Sequence, residues 1–491
     1  MLFNSFIFVF FLAFVWIGYL LLRAPRPRAV WLLAASYAFY AYWDWRFCSL
    51  LVGLTLVDFS VGRVLHAAAT VRRRKQWLAV SLAANLGVLG FFKYFNFFAA
   101  GAQAALAAFG LELDRAHVSI ILPLGISFVT FRSLTYTIDL YRRRIEPTRS
   151  LLDYALFIAF FPILVAGPIE RAGNLLPQLA RLRAPSRREI GAGLVLICLG
   201  YFKKVLIGDA AGRIVDHIFG QPELYYSPEL LAAVILFWIQ IYADFAGYSD
   251  IARGIGKLFG VNLAVNFEQP YLSRSFSEFW RRWHISLSTW IWDYLFNPLV
   301  AAVLRRVANW RFASVQAEMR IAYPVAAIVT MLLCGLWHGA GLTFIVWGGL
   351  HGLYLSGERL FVYRGKSIPL RWRLRGPRSV VRLVLGLAAT QVLVMFAWLF
   401  FRAENLAQVG YFLDQIVHWQ GSELSGRFAA ITASFMGMMV FLDLLEYKTG
   451  THAWLLKLRP AVAAGVCIAA MAVVALYLAT VDPMPFVYFQ F

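Results

Sequence analysis

Apolar residues run along this chain in long blocks joined by short polar connections. The blocks lie near 2–22, 29–43, 47–66, 76–92, 119–141, 151–169, 190–208, 229–248, 322–337, 342–356, 380–401, 427–446 and 460–480. A bilayer-crossing helix needs about 20 mostly apolar residues, and most blocks approach that length. Two further stretches, 93–109 and 285–304, are ambiguous between spans and shorter elements. The pattern predicts an all-α polytopic membrane protein with about 11–13 transmembrane or re-entrant helices. The longest polar connections, near 170–189, 261–284 and 357–379, are too short to bury cores of their own. Residues 1–491 therefore read as one integral-membrane domain, and no repeat is visible.

Composition agrees. Of 491 residues 61% are hydrophobic and only 15% charged, less charge than a soluble domain carries. The formal charge of +20 is clustered at 23–28, 72–75, 142–149, 181–188, 203–204, 305–311 and 364–382. In a membrane protein such clusters mark cytoplasmic loops, not a nucleic-acid surface. The 402–426 connection, with Glu404, Asp414 and Glu423, falls on the other side. This alternation places both termini outside. The first block lacks a basic flank and a small-residue cleavage site, so it reads as a retained helix. Cys48, Cys198, Cys334 and Cys467 lie in apolar blocks without a CxxC pair, which points to neither a disulfide framework nor a metal site.

Polar side chains at membrane depth are costly and mark candidate sites. They gather in four places. In "QIYADFAGYSDIARGIGKLFG", 240–260, Gln240 and Asp244 share one helix face, Ser249 and Arg253 repeat the spacing, and Asp250 adds a second acid. This suggests a buried, paired network, with interhelical glue as the equal alternative. In "FSEFWRRWHISLSTWIWDYLFNPL", 276–299, Trp280, Trp283, Leu287 and Trp290 form a stripe, with Arg281, His284 and Ser288 on another face. That pattern reads as an interfacial amphipathic helix whose tryptophans and Arg282 act as anchors. His284 is not explained by anchoring, because it titrates near neutrality. In "GLWHGAGLTFIVWGGLHG", 335–352, His338 follows Trp337 at the end of an apolar run, among glycines that let a helix break and a substrate approach. His351 reads from the residues alone as a core histidine. In "FFPILVAGPIER", 160–171, and "ISFVTFRSLTYTIDLYRRR", 126–144, proline, glycine, Arg132 and Asp139 suggest interior walls.

No Walker loop, nucleophile elbow or dinucleotide fingerprint is present. A buried histidine acting as general base suits acyl transfer to a hydroxyl. A proton-coupled small-solute transporter, or a structural subunit serving a catalytic partner, would use similar residues.

The stretches "FEQPYLSRSFSEFWRRWHISLSTWIWDYLF", "LWHGAGLTFIVWGGLHG", "QIYADFAGYSDIARGIGKLFG", "FPILVAGPIER" and the terminal "FVYFQF" together resemble the membrane-bound O-acyltransferase family. The likeness is strongest from about 120 to 355. It is closest to the bacterial branch that holds the alginate O-acetyltransferase membrane subunit and the teichoic-acid D-alanyl transferase. The resemblance implies a ring of helices around a thin centre, where a cytoplasmic tunnel meets an outer funnel. It implies catalytic roles for His338 and His284, with Asp244, Ser249, Asp250, Arg281, Trp337 and His351 as substrate-binding candidates. It implies no bound cofactor, acetyl-CoA or an acyl carrier as cytoplasmic donor, and a polysaccharide acceptor outside. A periplasmic acetyltransferase of the SGNH type is the implied partner, and a bacterial inner membrane the implied location. D-alanyl transfer from a carrier protein is the alternative chemistry. The chain departs from the alginate pattern after "STW": Trp292 replaces an arginine, and "NPLVAAVLRRVANW" replaces a Gly-Gly-Asn stretch. Alginate is therefore not assigned as the polymer.

Overall fold

The computed structural model describes residues 1–109, 120–310, 314–362, 372 and 376–489. Among them the chain is helical and has no strand. The helices are α1 Phe6–Leu21, α2 Pro25–Asp44, α3 Phe47–Ala67, α4 Val71–Ala108, α5 Ile126–Tyr141, α6 Leu151–Ala159, α7 Phe161–Leu164, α8 Ala172–Leu179, α9 Arg187–Tyr201 and α10 Ala210–Gly220. They continue as α11 Ser227–Leu258, α12 Phe276–Arg282, α13 Ile285–Ile291, α14 Asn297–Val307, α15 Val315–His338, α16 Leu342–Gly357, α17 Pro377–Arg402, α18 Leu406–Val417, α19 Ser425–Thr449 and α20 Pro460–Thr480. The ends follow local chemistry. The Ser5, Thr70, Ser150, Ser275, Ser314 and Asn405 side chains each accept from a backbone N–H three residues on, which satisfies donors that a helix start leaves open.

Among the described residues eight stretches are long and apolar enough to cross a membrane: Phe47–Ala67, Val71–Gln103, Arg187–Gly220, Ser227–Leu258, Ala317–His338, Pro377–Arg402, Ser425–Thr449 and Pro460–Thr480. The protein is an all-α polytopic membrane protein. Other predicted blocks are shorter. The 151–169 block divides into α6, α7 and a non-helical run, because Pro162, Gly167 (φ 101°) and Pro168 interrupt it. The 342–356 block becomes the 16-residue α16.

Contacts divide the chain into two compact units. The first holds Met1–Cys198 and Tyr248–Ala264. In its interior Asp58 of α3 accepts from Ser81 (2.6 Å) and Asn85 (2.8 Å) of α4. Arg132 of α5 is fully buried and donates to the Leu164 carbonyl at the end of α7. Asp139 is buried too but pairs with Arg144 (3.8 Å), not with Arg132. These residues form interior walls, as the sequence suggested.

The second unit holds Leu199–Gly247 and Val265–Phe491. Here two expectations are corrected. Lys203 and Lys204 do not lie in a cytoplasmic loop. They occupy a π-helix, Phe202–Asp209, inside the Arg187–Gly220 span, and are 1% and 3% exposed. Each has a buried carboxylate partner: Lys203 meets Glu446 at 2.6 Å and Lys204 meets Asp244 at 2.7 Å. Paired lysines can be buried where lone ones cannot. The 276–299 stretch is likewise not one interfacial helix. It breaks into α12 and α13 at Trp283–His284, and Trp283, Leu287 and Trp290 are buried. Arg282 is buried and pairs with Glu278 at 2.9 Å rather than anchoring at a surface. The basic cluster 364–382 lies largely outside the described residues.

Candidate active site

The site is built in the second unit. α15 ends at His338, and Gly339 takes up an extended conformation that breaks the helix. The α15–α16 pair is drawn together by glycine. A Cβ at Gly335 would lie 2.1 Å from the Phe344 carbonyl oxygen, and one at Gly348 would lie 2.2 Å from that of Met331. One at Gly339 would strike the Phe344 ring at 2.1 Å. The expected helix break is present. The expected open space is not found at Gly339, where Phe344 fills it, whereas a Cβ at Gly341 would meet nothing closer than 3.6 Å. Small residues here serve close helix packing.

That packing surrounds His338 with rings. Its imidazole lies 4.6 Å from the Trp337 ring, 5.0 Å from Trp347, 5.1 Å from Phe401 of α17 and 5.4 Å from Tyr488. It is buried, 8% exposed, in a largely aromatic surrounding. Trp347 and His351 lie four residues apart on α16, which places both on one face. The Trp347 ring therefore touches His338 and also His351, at 4.9 Å. His351 is fully buried, with Trp280 at 5.2 Å, and neither ring nitrogen has a hydrogen-bond partner.

His284 sits at the α12–α13 break in a left-handed conformation, φ 41°. Asn266 fixes that break. Its carbonyl accepts from Ile285 N–H at 2.8 Å, and its side chain accepts from the Ser286 hydroxyl at 2.6 Å. The His284 ring packs on Phe245 of α11 at 4.6 Å, and Phe245 touches Tyr488 at 4.9 Å. The two histidines are thus linked through two rings: His284 meets Phe245, Phe245 meets Tyr488, and Tyr488 meets His338. Burial keeps His284 neutral, pushing its pKa down to about 3.

The other candidates divide. Asp244 joins the site from α11: its carboxylate accepts from the Val487 N–H at 2.6 Å, next to Tyr488. Arg281 is exposed and donates to the Ser277 carbonyl. Ser249 and Asp250 belong to the first unit, where Asp250 pairs with Arg253 at 2.9 Å. The expected paired network is therefore real but split: Asp250 uses Arg253, and Asp244 uses Lys204. Trp292, at the departure from the alginate pattern, is half exposed and stacks on Phe296 at 4.6 Å.

Sequence reasoning missed Lys204, Asp209, Trp347, Phe401 and the role of Tyr488 as a wall beside His338. One signal was present. Two lysines and an aspartate interrupt the apolar run of "YFKKVLIGD", and charges inside a span ask for partners. None of the four cysteines is in a disulfide.

The chain matches the MBOAT, membrane-bound O-acyltransferase family over residues 32–400. It is 37% identical to the probable alginate O-acetylase AlgI of Pseudomonas aeruginosa, covering 91% of this chain and 80% of that protein. It is 33% identical to the peptidoglycan O-acetyltransferase of Helicobacter pylori, covering 86% and 81%. It is 28% identical to the teichoic acid D-alanyltransferase of Streptococcus thermophilus, over 57% and 68%. A buried histidine in a ring-lined, glycine-packed helix pair and these matches agree: the chain is an O-acyltransferase and belongs to the membrane-bound O-acyltransferase family.

Proposed function

We propose that this protein passes acetyl groups from a cytosolic thioester, acetyl-CoA, to O-acetylation of an extracytoplasmic polysaccharide. The observation that carries the reading is His338, buried at a helix end and walled by Trp337, Trp347, Phe401 and Tyr488. In this reading an acceptor hydroxyl attacks the thioester carbonyl. His338 takes the hydroxyl proton, the C–S bond breaks, and the proton leaves with the thiol. A neutral imidazole has the free lone pair that accepts such a proton. His284, linked to His338 through Phe245 and Tyr488, orients the acceptor or the neighbouring rings. Trp337 and His351 shape the walls, and Asp244 acts through residues 482–488.

Acetyl rather than D-alanyl transfer is favoured by the stronger and longer match to O-acetyltransferases than to the D-alanyltransferase. The polymer is left as a class. A periplasmic SGNH-type acetyltransferase completes the transfer outside, and the protein sits in the bacterial inner membrane with both termini periplasmic.

His338→Ala tests the assignment. Loss of a general base typically costs about 10²–10⁴-fold, so polymer acetylation should fall to background while the variant inserts and folds normally. Wild-type acetylation by a stably expressed variant would refute it.

A further inference from the structure

The π-helix Phe202–Asp209 carries a charged group that the reaction above does not use. Lys204 lies between two carboxylates, Asp209 of the same π-helix and Asp244 of α11 (2.7 Å), and all three are 2–3% exposed. Glycines bring these elements together. A Cβ at Gly208 would sit 2.9 Å from the Asp244 backbone nitrogen, and one at Gly247 would sit 2.7 Å from that of Lys204. One lysine therefore serves two buried carboxylates, and the second Asp244 oxygen takes a further donor.

The chain's last described residues supply it. Val487 N–H donates to Asp244 Oδ2 at 2.6 Å, and Lys204 Nζ donates to the Met484 carbonyl at 3.4 Å. Arg213 donates to the Asp482 carbonyl. Phe486 and Val487 are each 1% exposed. The next residue, Tyr488, lies against His338 and Phe245. Main-chain groups make these contacts, so they fix the position of the segment whatever its side chains are.

We infer that Lys204, Asp209 and Asp244 form a clamp that holds residues 482–488 in place, and that they are positioning residues for the wall Tyr488 makes beside His338. The inference rests on His338 as the reacting histidine. It adds that activity depends on a main-chain hydrogen bond to Asp244, remote from the reacting atoms.

Val487→Pro isolates that bond, and Asp244→Asn removes it together with the Lys204 ion pair. Val487→Pro deletes the N–H donor and leaves every buried charge in place. Residue 487 opens a short 3₁₀ turn, and proline is tolerated at a first helical position. Asp244→Asn keeps the size but offers one acceptor where two are needed. A hydrogen bond to a buried charge contributes roughly a ten- to hundredfold bias toward the docked segment. Both variants should lose about that much acetylation. Docking is read separately by maleimide labelling of a cysteine placed at 488, in a protein freed of its native cysteines. That position should be protected with the clamp intact and label at least about tenfold faster with Asp244→Asn or Val487→Pro, in Val487→Pro at unchanged melting temperature. The double variant should lose no more than Asp244→Asn alone, because that substitution already removes the bond that Val487→Pro deletes. Wild-type activity and protection in Val487→Pro would overturn the clamp even if His338→Ala is inactive. If instead the label enters rapidly while acetylation stays normal, the docked segment does not serve the site, and the inference fails with the assignment of His338 untouched.

Discussion

At the scale of single residues, the arrangement assigns different work to the two histidines. His338 lies at the end of α15, whereas His284 sits at the α12–α13 break and is held at φ 41°. A non-glycine residue in that region costs about 1–3 kcal/mol. Asparagine tolerates it best among side chains that both donate and accept. His284→Asn should therefore keep the α12–α13 break and part of the hydrogen-bonding capacity, while His284→Ala keeps neither. Acetylation per inserted protein should fall strongly for alanine and recover in part for asparagine. Equal, wild-type rates for both would make His284 a packing residue. Trp347 matters for another reason: its ring contacts both His338 and His351, so its shape sets the spacing of the two.

At the scale of elements, the α15–α16 pair shows which glycines carry the fold. A Cβ on Gly348 would meet the Met331 carbonyl oxygen at 2.2 Å, and backbone cannot move aside cheaply. On its neighbour Gly349 a Cβ would meet only Leu332 Cδ2, at 3.6 Å. Gly348→Ala should destabilise by about 1–3 kcal/mol or more, as overpacking does, with activity lost because His338 shifts. Gly349→Ala should leave the melting temperature in detergent within error of wild type. A similar drop for both would mean the tight crossing is not a determinant of stability. The helices themselves were legible in the sequence, because span-length apolar blocks leave few other structures possible. The glycine-flanked His338 was legible as well. The break between α12 and α13 was not. The turn at Trp283–His284 is fixed by Asn266, far back in the chain, and the burial of Lys203 requires Glu446 of α19. A run of tryptophans has the same spacing whether lipid or protein covers it, so the stripe at 280–290 reads as an anchor until its partners are known.

At the scale of the whole molecule, the question is the side from which each substrate arrives. The formal charge is +20, and its loop clusters at 23–28, 72–75 and 142–149 alternate along the chain as cytoplasmic connections do. A basic face raises the local concentration of an anionic donor, and acetyl-CoA carries several phosphate charges that keep it from crossing a bilayer. The positive-inside rule alone would also produce such a face, so charge cannot decide the donor side and access must. In sealed right-side-out vesicles holding the protein, with any periplasmic partner supplied outside, acetyl-CoA in the lumen should support acetylation of external acceptor. The free thiol should appear in the lumen. Acetyl-CoA added only outside should give no product, and permeabilising the vesicles should restore it. Equal rates from both sides would show that donor and acceptor reach His338 by the same route, and the transmembrane direction proposed for the acetyl group would be wrong.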